Sequence, residues 1–453
     1  MSDAIAQWKE AVALAQKTGD YADVADAVAA TQRAFPNTKT TTVEPECRAL
    51  LLNLAENECA DTAALRAAAL GVLGRVGDTS PEVLHAAVRA LGPRAPCTVV
   101  AAAQAYFDAV TVAHSSCAFA PVAAELRTAA AASPVVALRL AECVLTGQQH
   151  APDAWHSDPT AALCVADLAH MLASPDVAVA LNAIELVSAP ARWDDARDAA
   201  ASRVQLAALV PLASAATTSR LVRVAAVRAL GGVAARGPQA LAAAAELGVF
   251  ELLERCVRSA DDEGGGDSET AAAALCALAV ALDAGGGAAV QTAVAHAPGI
   301  FDTVAVAADP AHGSGVRVAA LHALASALRD ATPAHSAMLR ETVFAHLSEG
   351  AVAEAVRLCA GADAERAEAA ARLLGAIAQH AWGAAALLAC APLAATLLAR
   401  DHPHFGAADR CTLARTLLQH CPEIARTHPD LARLATHGPR SRPFQQPLVH
   451  IEP

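Results

Sequence analysis

One helical phrase recurs along this chain: VLHAAVRALG at 83–92, VRVAAVRALGGVA at 222–234, TAAAALCALAVAL at 270–282, VRVAALHALASAL at 316–328 and AERAEAAARLLGAIA at 364–378. Superposed, the phrases put Leu230, Leu278, Leu324 and Leu374 in one slot, 48, 46 and 50 residues apart. Ile184 lies 46 residues before Leu230, and Leu91 lies 93 before Ile184, which leaves room for one repeat around SPVVALRLAECVL at 133–145. A period in the forties marks stacked helical repeats, each of which buries its apolar face only against its neighbours. The expected architecture is an all-α, armadillo/HEAT-like α-solenoid, a right-handed superhelix with no single core.

Composition reinforces this. The chain is 55% hydrophobic but only 3% aromatic, so its apolar content is mostly Ala, Leu and Val. Ala and Leu are strong helix formers, and small Ala side chains let helices approach closely.

Residues 1–35 carry Ile5, Trp8, Val12 and Ala15 on one helical face and Val24 and Val28 on another, which predicts a helical N-terminal cap. A polar, Pro-bounded linker follows at 36–45. Repeats then fill 46–437, with loops expected at 146–160, 261–267, 284–287 and 309–315. The last stretch, 438–453, is too rich in proline for a helix and reads as an extended tail.

A net charge of -13 and a pI near 5.7 oppose the dominant basic face of a nucleic-acid scaffold. Lysine occurs only at Lys9, Lys17 and Lys39, a bias that decides nothing. Twelve cysteines contain no CxxC pair, and Cys143, Cys164, Cys276 and Cys359 sit inside apolar helical phrases. They read as small buried hydrophobes in a reducing compartment, the cytoplasm and also the nucleus. Asp3, Lys9 and Glu10 interrupt any signal-peptide core. The uncharged stretch 373–399 could mimic a membrane span, but Gln379, His380 and Pro392 and its place in the repeat argue for a turn between helices, so no membrane partner is expected.

Catalytic signatures are missing: GxSxG, GxxxxGK[ST], GxGxxG and HExxH do not occur. No histidine is followed by glutamate, which opposes the di-iron hydroxylases that also use helical repeats. The densest His and Cys neighbourhood, Cys390, His402, His404, Cys411, His420, Cys421 and His428, lacks paired zinc ligands. The chain therefore reads as a non-enzyme with no cofactor and no metal, monomeric when free.

An armadillo-type nuclear-import receptor presents Trp followed four positions later by Asn. Here Trp8, Trp155, Trp193 and Trp382 are followed at that distance by Val12, Pro159, Arg197 and Ala386, which opposes cargo import and makes Trp193 and Trp382 packing residues. The phrase resembles the third armadillo helix, which lines the concave surface. The import-receptor Trp column maps here onto Arg89, Asn182, Arg228, Cys276, His322 and Arg372, the candidate partner-binding groove. Its guanidinium groups can pair bidentately with carboxylates, which favours an acidic protein surface.

From about Gly286 onward an ordered series of segments stands out: AHAPGIFDTV at 295–304, GVRVAALHALASAL at 315–328, PAHSAMLRETVF at 333–344, ARLLGAIAQHAWGAAALLACAPLAATLLARD at 371–401, ADRCTLARTLLQH at 408–420 and LARLATHGP at 431–439. In order and spacing they resemble the 26S proteasome non-ATPase regulatory subunit 5 family, which likewise has an Ala-Ile-Ala phrase leading to a tryptophan and a late Gly-Pro. Arg440 and Ser441 stand where relatives carry aromatic residues. The resemblance implies a cytosolic base-assembly chaperone that binds the C-terminal domain of a regulatory-particle ATPase subunit and leaves before the mature particle forms. The alternative is a generic armadillo-type interaction scaffold or adaptor.

Overall fold

The computed structural model describes residues 45–56, 63–76, 80–91, 95–113, 133–139, 141–142, 168, 171–188, 195–259, 267–330, 332–347, 349–399 and 404–438. The expected N-terminal cap, the loop at 146–160, most of the loop at 261–267, Trp193, His402 and nearly all of the tail lie outside these residues. No strand occurs among the described residues. The chain divides into two compact units, Met1–Ala201 and Ser202–Pro453.

In the first unit, α1 (Pro45–Glu56), α2 (Ala63–Val76), α3 (Pro81–Ala90) and α4 (Cys97–Ala113) are followed by helical residues at 134–139 and 141–142 and by α5 (Val177–Ser188). Packing of α1 on α2 and of α2 on α4 buries Leu54, Leu70, Leu73 and Val110. Tyr106 and Phe107 are fully buried and meet edge to face at 5.4 Å. Arg66 donates from Nε to the Ala55 carbonyl at 2.8 Å, and Arg139 donates to Leu91 at 2.8 Å, so guanidinium groups satisfy carbonyls at helix ends.

The unit boundary falls within α6 (Asp195–Ser214). The second unit repeats a long helix followed by two short ones, except that the second long helix is followed by one. The long helices are α7 (Arg220–Ala234), α10 (Ser268–His296), α12 (Ser314–Ala327), α15 (Ala364–Ala378) and α18 (Ala407–His420). Between them lie α8 (Pro238–Glu246) and α9 (Val249–Arg258), α11 (Ile300–Ala307), α13 (Pro333–Thr342) and α14 (Glu349–Cys359), and α16 (Ala381–Ala389) and α17 (Ala391–Leu398). The unit ends with α19 (Ile424–Thr427) and α20 (Pro429–His437). Successive long helices stack on one another. Leu230, Leu278, Leu324 and Leu374 are completely buried, and burying each contributes about 1.5–3 kcal/mol. The recurring phrase is thus the helix that carries the stack.

Two expectations change. The loop expected at 284–287 shrinks to one residue: Gly286, at φ 55°, breaks α10 in the left-handed region, and both flanks stay helical. Asp330 holds this break from the next repeat, accepting from the Gly287 N–H at 2.9 Å, the Thr332 N–H at 3.0 Å and His335 Nδ1 at 2.8 Å. Burial alone would raise the Asp330 carboxyl, but the hydrogen bonds from Gly287 and Thr332 outweigh it and hold the group well below the usual carboxylate range. Second, besides the stretch 373–399, whose α16 and α17 are apolar and long enough only when counted together, α10 is the one single helix among the described residues long and apolar enough to cross a membrane. The Gly286 break and thirteen buried residues mark α10 as a core helix of the stack. The stretch 373–399 spans three helices, with an 89° bend between α16 and α17.

Polar ties join the repeats. Asp267 caps α10 by accepting from the Thr270 N–H and also receives Arg220 at 3.1 Å and Arg223 at 3.0 Å from α7. Arg317 of α12 is buried, donates to the Ala308 carbonyl at 3.2 Å and pairs with Glu354 of α14. Buried His380 bonds through Nε2 to the Leu328 carbonyl at 2.9 Å and through Nδ1 to Ser336 Oγ at 3.1 Å. Its ring stacks on Trp382, whose indole N–H donates to Ser336 Oγ at 3.0 Å. Every partner in this network is satisfied if His380 carries its proton on Nε2. Trp382 is a packing residue, as its sequence context predicts.

Candidate protein-binding face

The six column residues fall on helices as follows. Arg89 is the penultimate residue of α3, Asn182 lies mid-way along α5, and Arg228, Cys276, His322 and Arg372 lie on α7, α10, α12 and α15. All are solvent-exposed except His322, which is half-buried. Within the second unit, consecutive members of the column come together. The Arg228 charge acts on the Cys276 thiol, and the Arg372 charge acts on the His322 ring. This follows from the stacking, since equal positions on adjacent repeats must be neighbours.

The charges differ from those the sequence suggests. Arg372 is paired with Glu368 at 2.9 Å, and Arg89 is paired with Glu56. The His322 pKa is lowered, first by burial and then by Arg372, so its ring is neutral at physiological pH. Arg228 has no ion-pair partner among the described residues. The four potential cations of the column therefore reduce to one free guanidinium. Cys276, read from sequence as a buried hydrophobe, is exposed. Its dry surroundings nevertheless push the thiol pKa up, which outweighs Arg228 and leaves a protonated, unreactive thiol.

Four positions beyond the column, where an import receptor has its asparagines, stand Leu186, Gly232, Val280, Ser326 and Ala376. There is thus no amide ladder to bind an extended backbone. Val280 is 45% exposed, and Leu221, two turns before Arg228 on the same helical face, is 65% exposed. Arg228 is therefore flanked by aliphatic surface. Farther along, the Arg329–Asp283 pair, at 2.9 Å, bridges α10 to the residues that follow α12.

Two clefts open beside the column. One, of about 620 Å³, lies between α15 and α18 and is lined by Glu368, Arg372, Gly375, Asp409, Thr412 and Thr416. The other, of about 500 Å³ and in the first unit, is lined by Arg139, Glu142, Asp176, Asn182 and Glu185. A third cleft, of about 380 Å³, lies away from the column, where the buried Arg317–Glu354 pair meets Asp302 and His346. Among the described residues no three His, Cys, Asp or Glu side chains converge as metal ligands.

A second arginine series escaped the sequence reading. Arg66, Arg223, Arg317 and Arg410 are each the fourth residue of a long helix. Arg66, Arg317 and Arg410 donate to carbonyls of Ala55, Ala308 and Leu397, at or near the end of the preceding helix. The signal was present in the VRVAA shared by 222–226 and 316–320.

No protein-family model matches the chain, and no curated protein matches it. Among solved structures, it is similar to the karyopherin Kap121p bound to the extreme C-terminus of the protein phosphatase Cdc14p. The TM-score is 0.50 at 12% identity, over 91% of this chain and 48% of that one. Kap121p bound to the SUMO protease Ulp1p gives 0.50 at 12% identity, over 92% and 47%. A designed armadillo repeat protein gives 0.42 at 21% identity, over 56% of this chain and 99% of that one. The chain spans about half the length of the karyopherin. At such identity the likeness is one of fold, and the fold is an all-α armadillo/HEAT-like solenoid.

Proposed function

We propose that this protein is a non-enzymatic protein-binding scaffold, that its working surface is the exposed face of the stacked long helices, and that its partner is an ATPase subunit of the proteasome regulatory particle. The observation that carries the binding reading is the guanidinium of Arg228, the one column cation without an ion-pair partner among the described residues, on a face that also exposes the aliphatic side chains of Leu221 and Val280. A charge flanked by apolar area is the composition of an interface centre. The karyopherin neighbours are themselves bound to protein partners, which supports the same use of the fold.

The ATPase partner rests on the resemblance over the C-terminal third. Part of that resemblance is fold-bearing, since His380 and Trp382 of its AIAQHAW phrase tie repeats together. In this reading the scaffold holds the small C-terminal domain of an ATPase subunit in the cytoplasm, also in the nucleus, blocks premature contacts sterically and is released before the mature particle forms. It acts as a monomer and uses no cofactor. The test is capture of recombinant regulatory-particle ATPase subunits by the purified protein, with Arg228→Glu as the surface variant. Capture that weakens in the variant and with added salt supports the reading. Failure to capture any ATPase subunit leaves a scaffold for another protein partner.

A further inference from the structure

Arginine is the fourth residue of three long helices in the second unit, and two of these guanidinium groups meet a carboxylate farther along the chain. Arg223 of α7 meets Asp267, 44 residues on, at 3.0 Å. Arg317 of α12 meets Glu354, 37 residues on, through Nη2, and gives its Nε–H to the Ala308 carbonyl. Arg410 holds the same place on α18, the last long helix, and is as deep as Arg317, each being 6% exposed. Yet Arg410 has no ion-pair partner among the described residues, and its one hydrogen bond there runs from Nη1 to the Leu397 carbonyl at 3.4 Å. Its Nε is enclosed without a partner, while Nη2 makes no hydrogen bond and is not enclosed. These two nitrogens form the edge of a guanidinium that grips a carboxylate side-on. The acids that follow α18 are engaged elsewhere, Glu423 with the Cys421 thiol and Asp430 with Arg433 at 3.3 Å.

We propose that Arg410 receives an aspartate or glutamate side chain of a partner protein, in the position that Asp267 and Glu354 fill for Arg223 and Arg317. The inference rests on the protein-binding reading above and adds a second anchor, on α18, to the one at Arg228. A guanidinium this deep costs free energy while it is uncompensated, so a carboxylate that reaches Nη2 and Nε gains more there than at an exposed arginine. The end of the chain itself is a poor source of that charge. Residues 439–453 carry Arg440 and Arg442 against the single acid Glu452, so the segment is cationic as a whole. A carboxylate rather than another anion is the match, because carboxylates already fill this role twice in the same fold.

The test uses the full chain. In the free protein, Arg410→Met removes an uncompensated charge and should leave the melting temperature unchanged or raise it, whereas Arg317→Ala should lower it. An equal fall with Arg410→Met would overturn the proposal, because the guanidinium would then be paired already. So would a fall with Glu452→Gln, which would make the chain its own source of the carboxylate. Binding is probed with peptides selected on wild type from a random dodecapeptide phage library and measured by fluorescence anisotropy. Selected peptides carrying aspartate or glutamate are expected to bind Arg410→Met at least about tenfold more weakly, with Arg410→Lys in between. Changing that acid to its amide should cost about as much with wild type and nothing with Arg410→Met. Absence of such peptides, or equal binding of them by wild type and Arg410→Met, would overturn the proposal. If ATPase subunits are captured equally by wild type and Arg410→Met, the anchor at Arg410 fails while the scaffold reading stands. If the acidic peptides behave as expected but no ATPase subunit is captured, the anchor stands and the ATPase partner fails.

Discussion

Replacing Gly231 and Gly375 by alanine makes the same chemical change in the same repeat slot, and the two substitutions are expected to move stability in opposite directions. At Gly231 the new methyl would sit 2.3 Å from the Ala277 carbonyl oxygen and 2.4 Å from its Cα, both backbone atoms that no rotamer change can move aside. Relieving that contact requires α7 and α10 to separate, and overpacking of this kind costs about 1–3 kcal/mol or more. The higher helix propensity of alanine offsets up to about 1 kcal/mol, so a net loss remains. At Gly375 the methyl meets nothing within 4 Å, and only the propensity gain of roughly 0.5–1 kcal/mol is left. Because the propensity gain is common to both, the two variants should differ by the overpacking cost alone, about 1–3 kcal/mol or more in urea unfolding, with m-values unchanged. Thermal melts should diverge in the same sense, by roughly 2–4 °C per kcal/mol. Equal destabilisation of both, or tolerance of alanine at Gly231, would refute both the register of the repeats and the vacancy at Gly375.

Removing Arg317 by substitution with alanine leaves Glu354, in a mostly buried site, with only the exposed Arg357 as its ion-pair partner and should cost up to about 3 kcal/mol, whereas the double replacement Arg317→Met with Glu354→Leu should be milder in the same unfolding assay. Because the folded pKa of Asp330 lies below its unfolded value, its contribution to stability is full above about pH 4 and is lost as pH falls further. Urea midpoints in acid should show this, and Asp330→Asn should flatten the dependence. Ser336→Ala removes one of the two acceptors of the Trp382 indole, leaving the Ser336 carbonyl at 3.2 Å, and removes the hydroxyl facing His380 Nδ1, and should cost about 1–2 kcal/mol, accompanied by a change in tryptophan fluorescence.

The stack of long helices was legible in the sequence because its signal is periodic. Leu230, Leu278, Leu324 and Leu374 repeat at nearly constant spacing and have to be buried by the same neighbours in each unit. The column positions were legible for the same reason, since a period fixes which residues share a face. Their charges were not, because pairing depends on acids whose proximity only the three-dimensional stack decides. Glu368 is one turn away from Arg372 and could have been read as its i, i+4 partner, but Glu56, which neutralises Arg89, is 33 residues distant. The burial that keeps His322 neutral leaves no mark in sequence. The AGGG stretch signalled a break, but not that a carboxylate 43 residues on would hold it to a single residue. Nor could the equivalence of Gly231 and Gly375 reveal that the first lies against the Ala277 backbone and the second against open space, since that depends on where α18 comes to rest.

If, as proposed, the exposed face of the stacked long helices grips a regulatory-particle ATPase subunit, affinity purification of wild-type protein and Arg228→Glu from the same cells tests it. Each purification is followed by quantification of every proteasome subunit recovered. The account predicts that wild type recovers free ATPase subunits or base precursors without the complete 26S particle, and that Arg228→Glu recovers them weakly while remaining folded. The attraction lost is also screened over roughly 8–10 Å at ordinary ionic strength, so recovery should fall as salt rises. Recovery of complete particles with stoichiometric amounts of this chain, or equal recovery of ATPase subunits by both forms, would contradict it.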